Sequence, residues 1–299
     1  MEQQTRAYLF AAATILFWST VAAAFKLTLA HVSSEELLFY STLFSLVILG
    51  TVVIASGRSG DIRRWPAREL LRSALLGFLN PFLYYLVLFK AYSLLPAQEA
   101  LTLNFIWPIV LVLFSIVILR QRITFKTLLA MVISFSGALV ISTRGEVLGF
   151  RFTHPLGAGL ALGSSAVWAL YWVYGTKDSR NAISRLCMNF FFGFVFVALY
   201  MALFSSLRPV GAEGLIGSLY VGAFEMGITY VVWLYALRLS RTTAQVSNLI
   251  YLTPFLSLLV VRLVVGEQIY GSTLVGLFLI VAGILLQHHR GRRARLPAN

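Results

Sequence analysis

The feature that most constrains this chain is a succession of about ten apolar segments, each roughly as long as a bilayer is thick, with almost no soluble-looking sequence between them. A helix needs ~20 apolar residues to cross the ~30 Å hydrocarbon core, where its backbone polar groups must be bonded internally. The segments run over residues 7–30, 37–56, 73–93, 97–119, 127–143, 156–176, 184–205, 214–237, 243–264 and 271–288. Hydrophobic residues make up 59% of the 299 and charged residues only 12%, which leaves too little polar sequence to clothe a soluble fold. The expectation is an all-α integral membrane protein with ten transmembrane helices. The lone Cys187 excludes an internal disulfide and a cysteine-based metal site.

Charge placement sets the orientation. Eighteen of the 24 lysines and arginines lie in alternate connections and the termini, including Arg58, Arg63, Arg64, Arg120, Arg122, Lys126, Lys177, Arg180 and Arg238. Four lie on the opposite side: Arg144, Arg151, Arg208 and Arg262. This bias predicts both termini in the cytoplasm. The net charge of +13 therefore reads as orientation signal and contact with anionic headgroups, so the bilayer, not nucleic acid, is the expected partner. The run from Ala7 to Phe25 is too long for a signal-peptide core and is preceded only by Arg6, so it reads as a first span. Ser33-Ser34-Glu35-Glu36 reads as a cap on the second helix.

The sequence also repeats itself. Pro108, Gln121, Ile123, Thr127, Leu128 and Gly137 correspond to Pro254, Glu267, Ile269, Thr273, Leu274 and Gly283, all 146 residues on. Gly77, Tyr85 and Ala91 match Gly222, Tyr230 and Ala236 at a spacing of 145, and Ala97-Gln98 matches Ala244-Gln245. Two units follow, 1–147 and 148–299, with five spans each. An odd number of spans inverts the second unit in the membrane, a device of secondary transporters.

These residues resemble the drug/metabolite transporter superfamily, specifically its EamA-type members. The resemblance rests on Phe17-Trp18-Ser19 with Phe25-Lys26, on the stretch from Lys90 to Ala97, and on Pro254 followed by the Gly-Glu box at Gly266-Glu267-Gln268-Ile269. The first unit departs from the pattern, with Arg120-Gln121-Arg122 where a Gly-Glu box would stand. The wording of several spans is most similar to bacterial aromatic amino acid exporters. The resemblance implies two inverted five-helix bundles around a central cavity lined mainly by spans one, three, four, six, eight and nine. It also implies a location in the bacterial inner membrane.

Candidate binding residues are those whose chemistry is out of place in lipid. Glu225 lies mid-span, where a charge costs ~2.5–3.5 kcal/mol on the insertion scale, so it must face a wet cavity, find a partner or carry a proton. It is a candidate for proton coupling or for a substrate ammonium. Lys26 and Lys90 sit near the outer ends of their spans and can snorkel to the interface; the sharper alternative for Lys26 is a substrate carboxylate. Glu99 could pair with Lys90 at an outer gate. Asn80-Pro81 predicts a kink that exposes polar groups, and Pro108 and Pro254 predict bends in two related spans, preceded by Asn104 and Asn248. Pro81, Pro108 and Pro254 are thus hinge candidates. Trp18, Trp107, Trp168, Trp172, Tyr84, Tyr85 and Tyr230 could wall a cavity for an aromatic ring, with packing or an interfacial belt as the plain alternative.

The function that best joins these features is a secondary transporter exporting small metabolites, aromatic amino acids foremost, with other amino acids, amphipathic drugs or a channel-like facilitator as alternatives. A monomer suffices for such a carrier. No phosphate-cradling Gly-rich motif followed by Lys-Ser/Thr is present, so ATP hydrolysis within the chain is excluded. An intramembrane enzyme is disfavoured: His31, His154, His288 and His289 fall at segment ends, Asp61 and Asp178 lie in connections, and Glu225 stands alone. No cofactor and no metal are expected.

Overall fold

The computed structural model describes residues 3–119, 125–147, 154–175, 178–205, 208–240 and 248–288, and every regular element among them is helical. The first half comprises α1 (Gln3–Thr28), α2 (Ser34–Ala55), the short α3 (Ser59–Arg63), α4 (Ala67–Gly77), α5 (Tyr84–Leu94), α6 (Ala97–Asn104), α7 (Trp107–Leu119) and α8 (Phe125–Ser142). The second comprises α9 (Pro155–Gly175), α10 (Ala182–Phe204), α11 (Ala212–Val221), α12 (Ile228–Leu239), α13 (Thr253–Val260) and α14 (Gly271–His288). A π-helical segment, Phe78–Leu83, joins α4 to α5, and another, Gly222–Gly227, joins α11 to α12. Among the described residues, six helical stretches are long and apolar enough to cross a membrane: Gln3–Thr28, Ser34–Ala55, Ala67–Leu94, Pro155–Gly175, Ala182–Phe204 and Ala212–Leu239. The molecule is a multi-pass membrane protein.

Local chemistry explains the boundaries. Ser33 and Glu36 form a reciprocal capping box on α2: the Ser33 hydroxyl accepts from the Glu36 N–H at 3.1 Å, and the Glu36 carboxylate accepts from the Ser33 N–H at 2.9 Å. The third span begins at Ala67, six residues before the predicted start at 73. Pro66 sets that start, and the first turns then carry Arg68, Glu69 and Arg72 beyond the apolar run.

The predicted span 97–119 is interrupted at Phe105–Ile106, so Pro108 lies in the first turn of α7 instead of bending a continuous helix. Pro254 likewise opens α13 behind a 3₁₀ turn at Asn248–Leu252. The first turn tolerates proline because its N–H would have no helical partner there. The expectation of two bent spans is corrected accordingly: both prolines start helices. Pro81, by contrast, sits inside its π segment behind Asn80, whose φ −147° and ψ 120° leave the helical region.

Close glycine contacts define the packing. A methyl group on Gly77 would lie 2.3 Å from the Asn189 carbonyl oxygen and 2.9 Å from the Gly193 nitrogen; on Gly222 it would lie 2.5 Å from the Ser41 carbonyl oxygen. Likewise a methyl on Gly137 would lie 2.5 Å from the Gly276 carbonyl oxygen, and on Gly283 2.6 Å from that of Ala130. Backbones therefore meet where α4 crosses α10, where α11 runs into its π segment against α2, and where α8 crosses α14. The central core gathers Tyr85, Phe89, Leu103, Ile106, Phe190 and Met226, all buried.

Candidate functional site

Three polar clusters sit within or at the ends of these helices. The central one is built on the π segments Phe78–Leu83 and Gly222–Gly227. Glu225 lies inside Gly222–Gly227, and its carboxylate accepts a hydrogen bond from the Tyr85 hydroxyl at 3.0 Å. Trp18 of α1 donates its indole N–H to the Glu225 backbone carbonyl at 3.4 Å. Tyr230 then touches Trp18 of α1 at 5.9 Å and Trp168 of α9 at 6.0 Å between ring centroids. Trp168 stacks on Tyr84 at 4.7 Å and meets Trp172 edge-on at 5.8 Å, while Tyr84 packs on Tyr85 at 4.6 Å. The Tyr84 hydroxyl donates to Asn104 at 3.3 Å, and Asn104 donates to the Ser164 hydroxyl at 2.8 Å. Trp18, Tyr84, Tyr85, Asn104, Trp168, Trp172, Glu225 and Tyr230 thus belong to one connected set. Trp107 packs as a half-buried side chain on the apolar core and takes no part in the ring contacts among the described residues. The side chain of Asn248 lies outside the described residues, as do Ala244-Gln245 and Arg120-Gln121-Arg122.

Asn80 sits in the Phe78–Leu83 π segment, fully buried, and neither its amide nitrogen nor its amide oxygen makes a hydrogen bond of ordinary geometry. The Asn189 amide oxygen and the Trp172 indole N–H are also buried without one. A buried polar group left this way costs about 1–3 kcal/mol.

The second cluster stands where α1, the α5–α6 corner and the connection before α14 meet. Gly266, with φ 78°, turns the chain so that Glu267 reaches α6. The Glu267 carboxylate accepts from the backbone N–H of Ala97 at 2.8 Å and of Gln98 at 3.3 Å, an acidic cap on a helix N-terminus. The Gln98 amide closes the same seam, donating to the Gln268 carbonyl at 2.7 Å and accepting from the Tyr270 N–H at 2.9 Å. Lys26 does not snorkel: its ammonium donates to the carbonyls of Leu95 at 2.7 Å and Tyr92 at 3.1 Å, capping the end of α5. The expected Lys90–Glu99 pair is also corrected. Glu99 pairs with Arg144 at 2.8 Å, and Lys90 is exposed. A recess of about 430 Å³ opens here, lined by Lys26, Leu95, Gln98, Glu267 and Tyr270 among others. Glu267→Ala is expected to destabilise the protein by about 0.5–2 kcal/mol through the lost cap, read by denaturant unfolding.

The third cluster joins the α9–α10 connection to α4. Arg180 grips Asp178 with two nitrogens, at 2.6 and 2.9 Å, donates to Glu69 O and Ser73 Oγ, and lies over the Trp65 ring. Arg72 approaches the same carboxylate at 3.5 Å. Burial pushes the Asp178 carboxyl up, but hydrogen bonds from Arg180 and the charges of Arg180 and Arg185 prevail and hold it below the usual aspartate range. A depressed folded value stabilises the fold above the ordinary aspartate pKa, and the contribution vanishes as pH falls through that lowered value. Thermal stability of the wild type is therefore expected to fall in acid more steeply than that of Asp178→Asn, with the two curves measured side by side from neutral to acid pH.

The EamA-like transporter family model matches residues 5–143 and 155–287. The chain belongs to the EamA-like transporter family. Among its EamA relatives, the probable terminal-alkyne amino-acid exporter of Streptantibioticus cattleyicolor is 30% identical over 81% of this chain and 81% of that protein. The aromatic amino acid exporter YddG of Salmonella typhimurium is 24% identical over 94% and 96%. A crystal structure aligns with a TM-score of 0.68 at 24% identity, covering 98% of this chain and 99% of the other, which shows the shared fold. As an EamA-like transporter, the chain handles a small molecule in a lipid bilayer.

Within this EamA-like chain, Tyr171, Asn189, Gln98 and Ser164 were not singled out from sequence. Gln98 carried a signal, since Ala97-Gln98 is one of the repeated dipeptides. The others are residue types too common in apolar helices to stand out.

Proposed function

We propose that the protein is a secondary transporter that exports aromatic amino acids across a bacterial inner membrane, by alternating access to a cavity between two inverted five-helix repeats, 1–147 and 148–299. The observation that carries this reading is a mid-span carboxylate, Glu225, walled by Trp18, Tyr85 and Tyr230, with Trp168 beyond. A carboxylate offers an acceptor to a substrate ammonium, and edge-to-face rings each contribute about 0.5–1.5 kcal/mol to an aromatic side chain. An aromatic substrate agrees with the name of the Salmonella typhimurium exporter, and an amino-acid substrate with that of the Streptantibioticus cattleyicolor one.

The repeat reading has independent support. The contacts of Gly77 with residues 189 and 193 correspond to those of Gly222 with 41 and 45, once 145 is added to one side and 148 to the other. The Gly137–Gly276 contact becomes Gly283–Ala130 on a shift of 146. Interfaces that interchange in this way are what a pseudo-twofold axis produces. The Lys26–Glu267 and Asp178–Arg180 clusters fall at segment ends assigned to opposite sides by the charge bias, as gates at the two mouths would.

The test is flux of labelled phenylalanine or tryptophan in proteoliposomes. Saturable counterflow is the expected result, and flux no greater than in empty vesicles overturns the substrate assignment. Active alkaline phosphatase and dark GFP fused at the C-terminus would overturn the orientation.

A further inference from the structure

Asn80 and Glu225 are 145 residues apart, the same spacing that relates Gly77 to Gly222 and Tyr85 to Tyr230. Each lies within a π-helical segment of corresponding position. The two therefore occupy equivalent places in the two halves, one as an acid and the other as an amide. Glu225 has a partner in Tyr85. Asn80, wholly buried, makes no hydrogen bond of ordinary geometry, and its amide is directed at the Tyr171 hydroxyl.

The surroundings of Asn80 select the ligand chemistry. Asn189, also wholly buried, donates its amide N–H to the Tyr171 hydroxyl at 3.4 Å. That hydroxyl stands beside the Asn80 amide, and because its oxygen already accepts a bond its proton is free to be donated. The Asn80 amide adds two more N–H groups. The charged groups acting on Tyr171 are Arg185 and Asp178, and the latter is already gripped by Arg180. The subsite thus offers amide and hydroxyl donors beside the unpartnered Asn80 and Asn189 amide oxygens, holds no carboxylate of its own, and feels the positive charge of Arg185 more than the negative charge of Asp178. Tyr171 also stacks on Trp168 at 5.7 Å, and Trp168 reaches Tyr230 and Tyr84, so the subsite borders the aromatic wall that leads to Glu225.

We propose that Asn80 and Tyr171, held by Asn189, form a neutral donor subsite that takes the carboxylate of a zwitterionic aromatic substrate, while Glu225 takes its ammonium. This rests on the transport reading above. The two halves have diverged at one equivalent position so that a dipolar ligand has a single orientation in an otherwise twofold cavity.

The experiment measures binding of three indoles to the purified full chain in nanodiscs: tryptophan, tryptamine, which lacks the carboxylate, and indole-3-propionate, which lacks the ammonium. Asn80→Asp keeps the shape and places a negative charge at the subsite. It is expected to weaken tryptophan and indole-3-propionate roughly tenfold or more, since a charge-assisted bond is replaced by repulsion, and to leave tryptamine within about twofold. Tyr171→Phe removes one donor and is expected to weaken the same two ligands, again sparing tryptamine, which keeps the test alive if the first variant does not fold. Equal losses for tryptophan and tryptamine, or no loss in either variant, overturn the subsite and make these groups a seat for internal water. A wild type that binds none of the three indoles overturns the aromatic-substrate reading itself, and this proposal with it.

Discussion

Glu225→Gln is expected to lower the affinity for an aromatic amino acid by roughly 10- to 100-fold, the loss of a charge-assisted bond worth about 1.5–3 kcal/mol. The side chain keeps its shape, and its amide oxygen can still accept from the Tyr85 hydroxyl, so the local fold is preserved. The loss is thus electrostatic, and it separates ligands by charge. Tryptophan and tryptamine suffer it; indole-3-propionate, without an ammonium, does not. Counterflow in proteoliposomes and direct binding both read the effect. A variant that transports tryptophan at the wild-type rate and affinity would remove Glu225 from the site.

The second large effect concerns the crossing of α8 and α14. Gly137→Val would bring a branched side chain to a point where even a methyl lies 2.5 Å from the Gly276 carbonyl oxygen and 3.0 Å from Leu279 Cβ. Neither neighbour is a flexible tip that can swing away. The helices must separate along their length, and the expected destabilisation is about 1–3 kcal/mol or more. Gly283→Val meets Ala130 O at 2.6 Å in the corresponding place and should cost a similar amount. Unfolding in SDS titrations measures both. Matching losses are what two equivalent contacts require; a large loss in one variant with none in the other would argue against the twofold relation of the halves.

The apolar segments were legible because lipid imposes length and composition on every span. Glu225 and Asn80-Pro81 were legible for a related reason: a charge or a broken ladder inside an apolar run has a cost that chemistry must offset elsewhere. The function of Lys26 and Glu267 was not. Both bind main-chain atoms of the 92–98 corner, and backbone acceptors and donors leave no trace in residue identity. Nor could hydropathy locate the start of the third span, which Pro66 sets six residues upstream of the apolar run. Tyr171 and Asn189 acquire meaning only from their position beside Asn80, and nothing in a single sequence supplies that neighbour.

The π segments Phe78–Leu83 and Gly222–Gly227 carry a consequence for what lies downstream of each. A turn that accommodates one additional residue rotates everything after it by about 100° relative to an unbroken α-helix. Tyr85 and Tyr230 follow those wide turns by only a few residues, and both are buried. Were either turn shortened to an ordinary one, its tyrosine would swing away from the centre of the molecule. The wide turns thus act as phase shifters. They let each of these two spans present one side of its circumference before the shift and a different side after it, so that the residues packed along its first half and those along its second can vary without constraining one another.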